Sequence, residues 1–135
     1  MKKQVEPAIV ELIDSVIPNK IYHMRAPDNT SGEFIIIQRT NSERWRSINA
    51  PSGMVQAEIQ IDAYAATITR ARAIGAEIET ILDGYMGVVS YGNDDPQISV
   101  DIAGISLQNE FDTFDQTDTP MLYRNLANYL VTYKQ

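Results

Sequence analysis

With 135 residues the chain fits one domain, 1–135, large enough to bury a core without covalent staples. It has no Cys and a single His, which excludes disulfides, zinc–thiolate sites, thiol nucleophiles and any constellation needing two imidazoles. A net charge of −7 opposes tight binding to nucleic-acid phosphate and to anionic membranes.

Pro7 suits the start of a helix, and Ile9, Leu12, Ile13, Val16 and Ile17 recur on one face until Pro18-Asn19 stops it. Glu6, Glu11 and Asp14 are foreign to a secretory leader. No apolar stretch approaches the roughly 20 residues that span a bilayer, so a cytoplasmic soluble chain with no membrane partner is expected. "KIYHM" reads as a short edge strand and "RAPDNTSG" as a loop. "EFIIIQRTNSERW" is a strand by β-branched and aromatic content, and Phe34 to Ile37 are apolar toward both faces. "RSINAPSGM" reads as a loop joining it to an antiparallel neighbour.

Val55, Ala57, Ile59, Ile61, Ala63 and Ala65 alternate, as a strand with one buried face requires. The period then changes without a break: Ile68, Ala71, Ile74, Gly75, Ile78, Ile81 and Leu82 recur at helical spacing, with Thr67 as N-cap and Gly84 beyond the C-terminus. The odd residues of the strand and the apolar stripe of the helix thus face each other, so one segment supplies two layers of core. "GVVSYGNDDPQ" is a short strand and turn. "ISVDIAGISLQNEF" alternates again, with Gly104 marking a bulge or bend, and "DTFDQTDTP" reads as an acidic loop. "MLYRNLANYLVTYKQ" carries both signals: Leu122, Leu126 and Leu130 sit four apart, while Tyr123, Tyr129, Val131, Thr132 and Tyr133 favour a strand. The fold class is α+β, with two helices on one face of an antiparallel sheet of about four or five strands.

No enzyme signature emerges. His23 reads as an ordinary edge-strand residue, the glycines match no phosphate loop, and the serines lack a G-x-S-x-G setting. Asp112, Asp115 and Asp118 lack the alternation and the glycine of a Ca²⁺ loop and read as solvated acids. No metal or cofactor is expected. Arg39, Arg44, Trp45 and Arg46 cluster around the only Trp, a combination enriched at interface hot spots, although a Trp capped by Arg over a sheet edge would look the same. Arg70 and Arg72 stand where positive charge opposes the helix dipole, which suggests pairing with an acid, for instance on a neighbouring subunit, against the alternative of a solvated helix face. These residues, with Asp112, Asp115 and Asp118, are the candidate contact set.

The order helix, short strand, "AP" loop, strand, "VQAEIQIDAYAATITRARAIGAEIETIL", "ISVDIAGISLQNEFD" and "DTPMLYRNLANYLVTYKQ" resembles the tail completion proteins of long-tailed double-stranded-DNA bacteriophages, also called tail terminators or head-to-tail joining proteins. Gln60 to Ala65 and Thr67 to Ala73 carry it most closely; "RTNSERWRSINAPSGM" falls outside it. The resemblance implies a non-enzymatic virion protein at the head-proximal end of the tail, assembled in the host cytoplasm. It also implies a homo-hexameric ring, with the tail-tube protein and a head-completion or stopper protein as partners, and a final strand over Leu122 to Tyr133. A compact chain of this size is roughly 35–40 Å wide, so a ring of six would leave a hole of about 35 Å. DNA could pass acidic walls without sticking. The rival readings are a head-closure or tail-tube subunit, or a small-molecule-binding or hydrolytic domain with a pocket around His23, Asp62 and Tyr64.

Overall fold

The computed structural model describes residues 4–26, 32–46, 51–92, 97–115 and 122–134. Helix α1 spans Val5–Ile13 and α2 spans Ile68–Leu82; the strands are β1 (Ile21–His23), β2 (Phe34–Arg46), β3 (Pro51–Ala65), β4 (Gly87–Tyr91), β5 (Ile98–Asp115) and β6 (Leu122–Lys134). They form one six-stranded sheet in the order β1-β2-β3-β6-β5-β4. All neighbours are antiparallel except β1, which runs parallel to β2. The α+β class is as expected. The sheet is wider because the short segments β1 and β4 both join it, one at each edge.

The segment from Val55 to Leu82 builds two layers, as its change of period predicts. Val55, Ala57, Ile59, Ile61, Ala63 and Ala65 are all buried, and so are Ala71, Ile74, Ile78 and Leu82 of α2. Burial of each such Ile or Leu is worth roughly 1.5–3 kcal/mol. Thr67 caps α2: its hydroxyl accepts from the Arg70 amide at 3.2 Å. Gly84 follows the helix at φ +84°, a conformation cheap only for glycine.

The last segment is a strand, β6, which lies between β3 and β5 in the middle of the sheet. The four-residue leucine spacing that imitates a helix is explained by the sheet having two apolar faces there. Tyr129, Val131 and Tyr133 are buried on the helix side, while Leu122 and Leu126 are buried on the other.

Four expectations need correction. Helix α1 begins at Val5, so Pro7 is its third residue rather than its first. It is still in the first turn, where the missing N–H has no intrahelical partner to lose. The helix also ends at Ile13, and Val16 and Ile17 pack on the core from outside it. In the stretch read as the loop "RSINAPSGM", Arg46 and Pro51 to Met54 are strand residues, because β2 runs to Arg46 and β3 starts at Pro51; positions 47–50 lie outside the described residues. Likewise Asp112 to Asp115 belong to β5 rather than to an acidic loop, since β6 offers a ladder partner as far as Leu122.

The expected irregularity at Gly104 is a register shift between Ile102 and Gly104, and a second lies between Leu107 and Asn109. Each inserts one residue, so each reverses which residues face the helices. Val100 and Ile102 face inward before the first, Ile105 and Leu107 after it, and Glu110 and Asp112 after the second.

Candidate functional site

Two polar networks lie on opposite faces of the sheet, near the end where β5 and β6 are joined. On the helix face, Arg72 of α2 donates through Nε to Asp112 Oδ2 at 2.8 Å. Asn125 of β6, buried, donates through Nδ2 to Asp112 Oδ1 at 2.9 Å. The Arg72 hydrogen bond, then that from Asn125, holds the Asp112 carboxyl below the usual carboxylate range. Asn125 fits because Gly75 stands above it: a Cβ at position 75 would lie 2.2 Å from Asn125 Oδ1. Beside this network runs an open groove of about 280 Å³, lined by Arg72, Ala76, Glu79, Glu110, Phe111, Asp112 and Asn125. Arg70 pairs with Glu33.

On the other face Asp62 of β3 is 4% exposed. Arg124 donates from a terminal guanidinium nitrogen to Asp62 Oδ2 at 2.8 Å, and Gln60 Nε2 donates to both carboxylate oxygens at 3.3 Å. Burial pushes the Asp62 carboxyl upward, against the opposing pull of Arg124 and Gln60. The Arg124 guanidinium also lies 5.7 Å from the centre of the Tyr64 ring. Tyr64 stacks on Phe34 with centroids 4.6 Å apart, and Tyr22 meets Phe34 edge-on at 6.3 Å. This ladder buries apolar rings on a face that neither α1 nor α2 covers.

The structure therefore gives Arg70 and Arg72 acidic partners within their own chain. It brings Arg72 and Asp112 together and leaves Arg39, exposed, on a different strand. Arg44, Trp45 and Arg46 fall at the end of β2 and Asp115 at the end of β5; Asp118 lies outside the described residues. His23 is exposed on β1, and the groove is at the other side of the sheet from it. Asp62 and Tyr64 are engaged by Arg124 and Phe34 rather than directed into a pocket with His23. Among the described residues no group of His, Asp and Glu side chains could hold a metal ion, and no helix is long and apolar enough to cross a membrane.

Sequence reasoning passed over Asn125, Glu33 and the Asp62–Arg124 pair. Only Gly75, a glycine inside a helical repeat, carries a local signal of close approach. The other pairings join strands and helices far apart in the chain.

No family model matches the chain, and no curated protein does either. Among solved structures the fold is shared with a chain from "Virion of native gene transfer agent (GTA) particle", at 9% identity and a TM-score of 0.66, covering 92% of this chain and 85% of that one.

Proposed function

We propose that this protein is a structural subunit of a phage-like virion, acting as a tail completion protein. In this reading copies form a ring, hexameric by the family resemblance, that caps the finished tail tube, ends its polymerisation and presents a surface to a head-completion protein. The DNA passes through without specific contacts, and no catalysis is involved. The observation that carries the reading is the fold shared over 92% of the chain with a protein of a gene transfer agent virion. The sequence resemblance, which rests on different information, points to the same class of particle. The acidic surface supports passage of DNA, since phosphate meets repulsion rather than a binding site.

Surface chemistry refines the candidate contact set. Arg70, Arg72 and Asp112 are held by partners inside the chain, so they are weaker candidates for intersubunit contact. Arg39, Arg44, Trp45, Arg46 and Asp115 remain, on β2 and β5. The test is electron microscopy and native mass spectrometry of the purified protein, alone and with tail-tube protein. Rings, alone or on tube ends, are the expected result. A strict monomer that is inert toward tube ends would overturn the reading.

A further inference from the structure

Among the described residues, β5 and β2 each run past their short edge neighbours and leave a stretch unpaired. On one side, β4 pairs with β5 only over Ile98–Ile102. The turn after α2 covers the next stretch: the Gly84 amide donates to the Ile105 carbonyl at 2.8 Å, and Asp83 Oδ1 accepts from the Leu107 amide at 3.0 Å. From Asn109 to Asp115 no described residue pairs with that edge. On the other side, β1 covers only Ile35–Ile37 of β2, extended by the Met24 amide donating to the Ile37 carbonyl at 2.8 Å. From Gln38 to Arg46 the outer edge of β2 is likewise unpaired among the described residues. Open edges of this length are templates for another strand.

The two edges differ in charge. Asn109–Asp115 carries Glu110, Asp115 and the Arg72-paired Asp112 and no base, while Gln38–Arg46 carries Arg39, Arg44 and Arg46 with the single acid Glu43. Pairing either edge with its own kind would set like charges across a ladder, which is destabilising. Pairing one with the other sets acid against base. The acidic edge also exposes Phe111 and Phe114, at 53% and 49%, apolar surface that an added strand would cover.

Directions and heights agree with such a union. β2, β3, β6 and β5 alternate in direction, so a neighbour in the same orientation offers β2 antiparallel to β5. The edges lie at different heights. Ser42 is level, through Ala57 and Val131, with Ile105, whereas the centre of the acidic edge, Asp112, is level with Asn125. That is six residues along β6, or roughly 20 Å. Four strand spacings separate successive copies of β2, roughly 19 Å. The strands would then lean at about 45°, close to the tilt of closed barrels.

We propose that a second copy of this chain docks here: Gln38–Arg46 of one copy adds as an antiparallel strand to Asn109–Asp115 of the next. The contact is head-to-tail, so its repetition closes a ring where the rotation between copies closes, and it leaves neither of these two stretches free. It rests on the assembling-subunit reading above and specifies the surface that assembly uses.

The chain has no native Cys, so introduced thiols are unique. Asn41→Cys and Thr113→Cys chains are prepared separately, mixed, assembled with or without tail-tube protein, and treated with a short bismaleimide. The expected result is covalent linkage in the mixture and little in either variant alone. Oligomers that form by native mass spectrometry yet link only homotypically, or not at all, would overturn the edge contact and leave the ring reading standing. A protein that remains monomeric under every condition overturns both. As a second measurement, Arg44→Glu and Glu110→Lys, which this register sets opposite one another, should each weaken assembly by roughly threefold to tenfold, and the combined variant should recover it. A combined variant weaker than either would overturn the charge match.

Discussion

Gly75→Ala isolates the contact between α2 and the buried Asn125. The new Cβ would stand 2.2 Å from Asn125 Oδ1 and 3.0 Å from its Cγ, so the amide must move. Moving it breaks the bond to Asp112, a hydrogen bond to a charged group worth roughly 1.5–3 kcal/mol. Strain from overpacking adds roughly 1–3 kcal/mol. Against this, Ala is the better helix former by about 1 kcal/mol. The net is a loss of roughly 2–4 kcal/mol, a fall in Tm on the order of 10 °C. Urea denaturation followed by circular dichroism measures it. The control is Asn125→Ala, where the obstacle is gone and Gly75→Ala should be neutral or stabilising by up to about 1 kcal/mol. The cycle therefore predicts a coupling of roughly 2 kcal/mol or more. A Gly75→Ala protein as stable as the parent, with the same effect in both backgrounds, would refute the argument that Asn125 dictates glycine there.

Two further variants probe the other local features. Asp62 has its carboxyl pKa raised by burial, so the folded state holds a proton that the unfolded chain has released; this contribution to stability is largest at low pH and is lost as pH rises from about 4 through the folded value. Asp62→Asn should remove that component, seen as a flatter dependence of urea midpoint on pH over the acid range, and an unchanged slope would count against the burial argument. Thr67→Ala removes the cap on α2 and should cost about 1 kcal/mol, or a few degrees in thermal melts, with Thr67→Asp restoring most of it.

How much of this could be read without coordinates follows from the range of each interaction. The segment from Val55 to Leu82 announces itself because alternation and helical recurrence are properties of neighbours in sequence. Thr67 and Gly84 are readable for the same reason, since caps act within a few residues. The Leu122–Lys134 segment is not, because its apolar residues serve two faces and propensity alone cannot separate a doubly buried strand from a helix. The strand ends at Arg46, Pro51 and Asp115 also escape, since polar residues carry the ladder there and only a partner strand shows that it continues.

Local pattern, then, decides the class of element along most of the chain and the pairing of β3 with α2 as layers of one core. The order of strands, the two register shifts in β5, the burial of Asp62 with Arg124, and the diagonal placement of an acidic and a basic open edge belong to the tertiary structure. Each depends on residues tens of positions apart being brought to one place, and no local rule encodes which distant partner a strand or a charge will meet.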